Sequence, residues 1–470
     1  MIETQYISDN LSRTIKLAVD SGEAATLEEA AAIFEGYAIR IHVGPDVADS
    51  ATLQATLLTA VNAARRCFLG GVEVVGCADV PLRVPLDNYV SLRDAVAGVG
   101  GHPQITSGKI MPEIVVGDVN TTVLTGDFGV RTTFEGWTGA VAPVADKLRL
   151  TEQTEFTPAG VLAGALAVSE AFQYVRGRNA YAGKRAVGLS LWDPSNSDFF
   201  SPNTYHGPAL ELLPSNLWII GLGHLGQAVL WTLGFLPFSR PDEVRLVLQD
   251  TDKLVPANDS TSPLTDRSKL KQYKTRAMAA WAEGRGFTTM VVERLFANDF
   301  KINSDEPRLA ICGIDNAIAR RVVEDVGFDH VIEAGLGKGG EEYLAFQMHT
   351  FPGGKKAANT WTEFVKAPPD AEQAVPPSVP AYNALATSGF DNCGLTLLAN
   401  RSVGAAFVGL FTSTLVIAEV LRRLAGGRAY DVIDGSLRDL SALTAVEKGK
   451  VGTFNPGYTH AVSNTRGASL

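Results

Sequence analysis

Two apolar segments of this chain resemble each other at a fixed separation of 249 residues. The identical residues are Gly160 and Gly409, Glu170 and Glu419, Gly177 and Gly426, and Ala180-Tyr181 and Ala429-Tyr430. Between the glycines, both segments carry apolar residues at helical spacing. Five identities without a gap indicate a duplication, and so long a period predicts two similar halves rather than a solenoid.

Each half alternates between strand-like and helix-like segments. The first half has AIRIHVG at 38–44, a helical stretch over 51–69, and then VEVVGCAD. The second half has LWIIGLG, then HLGQAVLWTLGFL, then EVRLVLQDTD. This alternation predicts an α/β fold of two tandem Rossmann-like domains with mostly parallel sheets.

Changes in composition, above all Pro- and Ser-rich stretches, predict the domain bounds. The predicted parts are a helical extension at 1–34, a first α/β domain at 35–192, a Pro- and Ser-rich linker at 193–215, a second α/β domain at 216–450, and a tail at 451–470. Within the second domain, an irregular loop spans 352–392. A loop of this length inside a compact domain usually has a function.

Charge and cysteine content exclude several classes of protein. The formal net charge is -10, so non-specific binding to nucleic acid has no electrostatic support. The start, MIETQYISDN, is too polar for a secretory signal, and the uncharged stretch 402–418 is too short to cross a bilayer. None of the four cysteines forms a CxxC pair, which argues against a cysteine zinc site. We therefore expect a cytoplasmic protein that does not enter membranes.

Only the second half has a glycine pattern at its first strand–helix turn. Gly221, Gly223 and Gly226 follow the apolar strand LWII, whereas the first half has Gly44-Pro45-Asp46 at the corresponding place. Glycines let the backbone approach phosphate oxygens, and a helix N-terminus supplies N–H donors. The pattern predicts a nucleotide site in the second half, and a merely tight turn is the alternative.

Acidic residues end the next strand of the second half. Asp250 and Asp252 are candidates for accepting hydrogen bonds from ribose hydroxyls, although one of them can instead cap a turn. Asn258 follows six positions later. Up to this point NAD and ATP fit the pattern equally well.

A lysine and a carboxylate further along favour triphosphate chemistry. Lys274 opens a helical stretch, and Asp315-Asn316 follow the strand RLAICGI. A lysine can neutralise phosphate charge, and a carboxylate such as Asp315 can hold Mg²⁺. Each residue alone also fits a solvated surface or a helix cap, so the ordered set carries the prediction.

With this set, the sequence resembles the ThiF/MoeB/ubiquitin-activating enzyme superfamily over about residues 215–430. The resemblance implies that ATP·Mg²⁺ binds over the glycine turn and that a protein C-terminal carboxylate attacks the α-phosphate. The products would be an acyl-adenylate and pyrophosphate. The implied partner is a small ubiquitin-like or sulfur-carrier protein. The first half is similar to the inactive adenylation domain of two-half activating enzymes, which implies a pseudo-dimer within one chain and leaves a homodimer open.

The sequence departs from this family in one important position. The family's Arg-Gln after the asparagine is replaced by Thr261-Ser262, so another residue must hold the triphosphate. Arg13 resembles the arginine that the partner half contributes in the family. Arg267 and Lys271 are the other candidates for the missing positive charge.

The family resemblance also raises the question of a thioester. Cys393 lies at the end of the Pro-rich loop, where family members carry the cysteine that accepts the acyl group. The alternative is a small buried residue. If Cys393 does accept the acyl group, a conjugating enzyme is a further candidate partner.

Three rival functions share parts of the pattern. A nicotinamide oxidoreductase shares the glycine motif and would bind NAD(P)H but not ATP. An adenylating enzyme that modifies a peptide or tRNA would share the active half without needing Cys393. A non-catalytic scaffold would retain the fold without turnover.

Overall fold

Two β-sheets, one from each half of the chain, organise the protein. This computed structural model describes residues 9–86, 88–105, 111–121, 124–337, 339–361, 379–388, 395, 398–399, 401–449 and 452–462. The strands are β1 Ala38–Val43, β2 Gly71–Val75, β3 Glu113–Val116, β4 Gly129–Glu135, β5 Thr138–Pro143, β6 Val187–Ser190, β7 Leu212–Pro214, β8 Asn216–Ile220, β9 Arg245–Gln249, β10 Thr288–Val292, β11 Leu309–Cys312, β12 His330–Leu336, β13 Ala345–Phe351, β14 Tyr430–Ser436, β15 Asp439–Glu447 and β16 Tyr458–His460.

The helices mainly cover these sheets. They are α1 Lys16–Asp20, α2 Leu27–Glu35, α3 Ala51–Ala64, α4 Leu92–Gly98, α5 Thr157–Val175, α6 His224–Gly234, α7 Pro256–Asp259, α8 Lys274–Glu283, α9 Ala317–Arg321, α10 Ala357–Thr360, α11 Pro380–Thr387 and α12 Ala406–Leu424. None of the described helices is long and apolar enough to cross a lipid bilayer.

The two large sheets share a strand pattern. The first sheet has the order β2-β1-β3-β4-β5-β6, and the second has the order β10-β9-β8-β11-β12-β13-β14-β15. In the first sheet the strands from β2 to β4 in this order pair in parallel, and the later ones pair antiparallel. In the second sheet the change from parallel to antiparallel pairing comes at β12. The predicted mixed α/β architecture with largely parallel strands is confirmed.

Local sequence explains where several helices begin. Ser50, Thr26 and Ser91 stand immediately before α3, α2 and α4, and each side-chain oxygen accepts a hydrogen bond from a backbone N–H in the first turn. Such caps satisfy donors that a helix start leaves without partners. Gly177 and Gly426 follow α5 and α12 with positive φ angles of 61° and 74°, a conformation that favours glycine at a helix end.

Helices α5 and α12 are the repeated segments found in the sequence. Both contain 19 residues, and their first and last residues are each separated by 249 positions. The repeated glycines have equivalent neighbours. A Cβ at Gly160 would lie 2.3 Å from the carbonyl oxygen of Thr52 in α3, and one at Gly409 would lie 2.3 Å from Nε2 of His224 in α6. Each glycine therefore allows close packing on the helix that follows the first strand of its own half.

The repeated glutamates also have matching roles. Glu170 and Glu419 are both buried within their helices. Glu170 accepts a hydrogen bond from the backbone N–H of Gly183 at 2.7 Å, and Glu419 accepts one from Tyr430 at 3.3 Å. In each half, the carboxylate fixes the chain on its return to the sheet.

The linker and the tail meet in a small separate sheet. Strand β7, inside the predicted linker, pairs antiparallel with β16, inside the predicted tail. The tail is thus part of the folded structure over Tyr458–His460, which its Gly- and Asn-rich sequence did not indicate.

Candidate functional site

A cleft of about 630 Å³ opens at the carboxyl ends of the parallel strands β8, β9 and β11. Strand β8 lies between β9 and β11. The sheet therefore extends from β8 to one side through β9 and β10 and to the other side through β11 and β12. Open parallel sheets bind ligands at such a switch point. The predicted site residues that line this cleft are Gly221, Gly223, Asp250, Asp252, Asn258, Lys274, Asp315, Asn316 and Arg13.

The glycine turn after β8 is tightly folded. Gly221 has a φ of +86°, and a Cβ on Gly226 would lie 1.9 Å from the Gly221 carbonyl oxygen. Gly223, in contrast, faces open space, with nothing within 4 Å of a Cβ built there. Gly221 and Gly226 therefore close the turn, while Gly223 leaves room for a ligand to reach the backbone.

The two aspartates after β9 have different roles. Asp250 accepts hydrogen bonds from the backbone N–H of Leu222 at 2.7 Å and from that of Asp252 at 2.8 Å. Its side chain is only 9% exposed, whereas that of Asp252 is 66% exposed. Asp250 thus ties the glycine turn to β9, and Asp252 presents its carboxylate to the cleft.

Lys274 joins these acids from the start of α8. Its Nζ lies 2.7 Å from Asp252 Oδ2 and 3.7 Å from Asp250 Oδ1. The residue is buried, so the sequence alternative of a solvated surface lysine does not describe it. A buried cation held in place by two carboxylates is well suited to meet a phosphate group.

The two predicted asparagines both cap short helices. Asn258 accepts a hydrogen bond from Val255 N–H at 2.9 Å, and Asn316 accepts one from Ile318 N–H at 2.8 Å at the start of α9. In each residue the side-chain oxygen accepts the backbone hydrogen bond, so the amide nitrogen can still donate to a ligand. Asp315, directly before Asn316, is exposed to the cleft.

A segment near the N-terminus forms another wall of the cleft. The backbone N–H of Arg13 donates to Ser260 Oγ at 2.9 Å, and Thr14 Oγ1 donates to Gly404 O at 3.1 Å. The pKa of Arg13 is lowered to about 10, mainly by burial and then by the charge of Arg401, while the charges of Asp9 and Asp315 act in the opposite direction. Arg13 therefore reaches the second-half site from within the same chain.

Helix α3 of the first half also supports this site. Arg65 donates to Asp259 Oδ1 at 2.7 Å, and Asn62 donates to the carbonyl oxygen of Pro263 at 3.1 Å. These side chains hold the end of α7, the helix that contains Asn258, and the loop that follows it. The sequence did not reveal this contact, because polar residues on a helix usually face solvent.

The corresponding turn of the first half is filled by its own side chains. Asp46 Oδ1 accepts a hydrogen bond from Asp118 N–H at 2.7 Å, and Arg149 lies 3.0 Å from Asp46 Oδ2 and 3.2 Å from Asp118 Oδ1. A Cβ on Gly44 would lie 2.6 Å from Asp46 Oδ1. A carboxylate thus stands beside the turn where the second half has open space.

The acidic side chains at the cleft are the candidate ligands for Mg²⁺. In the described ranges, no group of three or more His, Cys, Asp or Glu side chains is placed to enclose a metal. Mg²⁺ usually binds through one or two carboxylates together with substrate phosphates and water. The carboxylate of Asp315, which is exposed to the cleft, fits that mode.

Burial disfavours the thiolate form of the described cysteines. Burial raises the pKa of both Cys67 and Cys312 to about 12, and it also raises the pKa of Cys77. Cys312 is the last residue of β11 and is buried. Cys393, the predicted thioester residue, lies outside the described residues.

Two family models match this chain, one in each half. The BilD N-terminal domain matches residues 38–191, and the BilD C-terminal domain matches residues 213–427. The Bacterial E1-like protein BilD of Collimonas sp. (strain OK412) is 41% identical over 451 residues, which cover 96% of this chain and 95% of that protein.

Solved structures show weaker similarity. E. coli MccB matches with a TM-score of 0.31 and 12% identity, over 50% of this chain and 63% of MccB. PaaA matches with a TM-score of 0.31 and 15% identity, over 50% of this chain and 72% of PaaA. The matched region thus spans less than two thirds of MccB.

Proposed function

Since this chain belongs to the BilD family, we propose that it is an E1-like enzyme that adenylates a carboxylate with ATP. The observation that carries the proposal is the joint placement of Lys274 and Asp315 in the cleft that the glycine turn opens. A hydride-transfer site does not require this pair, whereas a triphosphate needs both a cation and a Mg²⁺ ligand.

The cleft suggests how the nucleotide would lie. The phosphates would approach the backbone at Gly223, where there is open space next to the N-terminus of α6. The ribose hydroxyls would donate to Asp252, since the oxygens of Asp250 already accept two backbone hydrogen bonds. Of the two aspartates that the sequence offers as ribose acceptors, the proposal therefore assigns this contact to Asp252.

The reaction would be a displacement at the α-phosphorus. A carboxylate oxygen of the substrate would form the new P–O bond, and the bond to the β-phosphate oxygen would break, releasing pyrophosphate. Lys274 would offset the negative charge that builds up in this step. When bound, Mg²⁺ held by Asp315 would neutralise phosphate charge as a Lewis acid.

The substrate would be the C-terminal carboxylate of a small ubiquitin-like or sulfur-carrier protein. This follows from the family resemblance and from the E1-like name of the Collimonas relative. A peptide substrate is the second candidate. A mixture of the protein, ATP and the carrier should form an acyl-adenylate that a carrier lacking its terminal residue does not form.

Binding measurements test the nucleotide assignment. We expect ATP·Mg²⁺ to bind the wild type, to bind Asp315→Ala at least tenfold more weakly, and to bind the surface control Asp242→Ala as it binds the wild type. Asp242 is an exposed residue that pairs with Arg240. Binding of NADH with no binding of ATP would identify a redox enzyme instead.

The thioester step depends on Cys393. The high pKa values of Cys67 and Cys312 make these residues unsuitable acceptors, because a thiolate is the attacking form. If Cys393 accepts the acyl group from the adenylate, AMP leaves and a thioester forms. An adduct that is cleaved by excess thiol in the wild type should then be missing in Cys393→Ala, while pyrophosphate exchange remains.

A further inference from the structure

We infer that Arg401 binds the β- and γ-phosphates of ATP, and that Asp9 occupies its guanidinium until the nucleotide displaces it. The inference rests on the proposed function. It also addresses the departure at Thr261, where the family's triphosphate-binding arginine is replaced.

Arg401 and Asp9 both line the cleft. The Nη2 atom of Arg401 lies 3.3 Å from Asp9 Oδ1, and the two side chains are 35% and 27% exposed. Asp9 thus brings a carboxylate into a cleft that also contains the glycine turn and Lys274. An arginine that holds a carboxylate has the right shape to hold a phosphate, because both anions present paired oxygens.

Arg13 places a second positive charge next to Arg401. The charge of Arg401 contributes to the lowered pKa of Arg13, and the charge of Asp9 acts in the opposite direction. Two guanidinium groups close together repel each other unless an anion lies between them. A triphosphate would supply more negative charge than one carboxylate, so displacement of Asp9 would relieve this repulsion.

Gly404, three residues after Arg401, lies next to the substituted position. Gly404 N–H donates to the carbonyl oxygen of Arg13 at 3.3 Å, and a Cβ on Gly404 would lie 3.3 Å from Cγ2 of Thr261. Gly404 therefore packs against the residue that replaces the family arginine. Arg401 and Thr261 both line the cleft, and Arg401 enters it from the segment that ends at Gly404.

The other basic candidates lie elsewhere. Arg267 and Lys271 are both exposed, and neither lines the cleft. Arg267 is therefore a matched control, because it has the same charge as Arg401 and belongs to the same half of the chain.

Calorimetric titrations with ATP·Mg²⁺ and with AMP test the inference. Loss of a charged hydrogen bond costs about 1.5–3 kcal/mol, which corresponds to a roughly 10- to 100-fold rise in Kd. We expect Arg401→Ala to weaken ATP binding by this factor and to change AMP binding less than about twofold, since AMP lacks the β- and γ-phosphates. Arg267→Ala should bind both nucleotides as the wild type does.

The variant Asp9→Asn tests the displacement directly. It keeps Arg401 and removes the competing charge, so ATP should bind a few-fold more tightly while AMP binding stays unchanged. Weaker ATP binding by Asp9→Asn would overturn this part of the inference. The measurement also does not depend on whether Arg401→Ala folds.

The outcomes separate this inference from the proposed function. If Arg401→Ala binds ATP as tightly as the wild type while Asp315→Ala does not, Arg401 has no phosphate role and the adenylating site stands. Equal losses for ATP and AMP in Arg401→Ala would also overturn the inference, because they indicate a general disturbance of the cleft. If the wild type itself binds no ATP, the proposed function fails.

Discussion

The guanidinium Nη2 of Arg66 lies 3.0 Å from the carbonyl oxygen of Ser262, across the boundary between the two halves. The same nitrogen donates to the carbonyl oxygen of Thr265, also at 3.0 Å. Arg66 follows the end of α3 in the half without a glycine motif, whereas both acceptors belong to the loop after α7. The first half thus contributes to the site by fixing this loop.

Replacing Arg66 with Met should destabilise the protein. The variant keeps an apolar stem but loses the guanidinium bonds to the Ser262 and Thr265 carbonyls, which are then left with one donor each, the backbone N–H of Thr265 and Nη2 of Arg65. We expect the free energy of unfolding to fall by about 2–3 kcal/mol, measured by urea denaturation. The control Arg83→Met removes an exposed arginine that pairs with Asp49 and should change stability by less than about 0.5 kcal/mol. Equal effects in both variants would contradict the buttressing role.

Alanine substitutions at Gly226 and Gly223 in the glycine turn should have different effects on stability. A methyl group at Gly226 meets the Gly221 carbonyl oxygen, so Gly226→Ala should lower both thermal stability and ATP affinity. A methyl group at Gly223 meets nothing within 4 Å, so Gly223→Ala should keep the wild-type melting temperature. It should nevertheless weaken ATP binding, because the methyl projects into the cleft. A Gly223→Ala variant that binds ATP normally would show that phosphate does not approach there.

Asp250 and Asp252 should separate into a structural and a ribose-binding residue. Asp252→Ala should weaken ATP binding about tenfold or more, since a hydrogen bond to a charged acceptor is lost. The same variant should lose much less affinity for 2′,3′-dideoxy-ATP, because this analogue has no ribose hydroxyl to donate and only the ion pair between Asp252 and Lys274 is then lost. Asp250→Ala should instead lower the melting temperature, because Leu222 N–H loses its acceptor. Equal losses for both nucleotides in Asp252→Ala would argue against a ribose contact.

His224 predicts a pH dependence of stability. Its pKa is lowered to about 4, mainly by burial and also by the charge of Arg66, against the opposing hydrogen bond to the carbonyl oxygen of Ala406. Because the unfolded chain binds a proton near pH 6.5 and the folded chain does so only near pH 4, the stability that neutral His224 contributes is lost as pH falls through this window. Urea denaturation should show a contribution of about 1–2 kcal/mol lost between pH 7 and pH 5.

The variant His224→Gln isolates that contribution. His206 and His330 also have lowered pKa values and should add to the pH dependence of both proteins. The wild type should therefore lose more stability than the variant on acidification. Identical pH profiles would mean that His224 titrates normally in the folded protein.

The duplicated helices were the most predictable part of the fold. The identities around Gly160 and Gly409 predict two equivalent helices, and α5 and α12 have matching bounds. Glycine at these positions is required by close contact with Thr52 and His224, which is why the identity survives while other positions differ. Strands β7 and β16 could not be predicted, because three-residue strands are too short to show an alternating pattern and their pairing joins distant parts of the chain.

Only part of the site could be predicted, because only some of its residues lie next to elements with a clear sequence pattern. Asp250, Lys274 and Asp315 stand next to strands or helix starts with clear sequence patterns. Arg401 stands in a short segment after the long loop, where its neighbours in sequence indicate neither a strand nor a ligand. Its position depends on contacts between Gly404, Thr261 and the N-terminal segment, and such contacts leave no periodic signal.

Helices α5 and α12 pack on each other in one continuous core that contains residues of both halves, with the rings of Phe172 and Phe407 5.5 Å apart. Because a peptide chain joins the halves, their association is intramolecular and is not weakened by dilution. Two separate subunits would part at low concentration and release the loop that Arg66 holds. In this protein the supporting first half is part of the same molecule, so the site should remain assembled on dilution. Its turnover per chain should therefore stay constant from micromolar down to nanomolar protein.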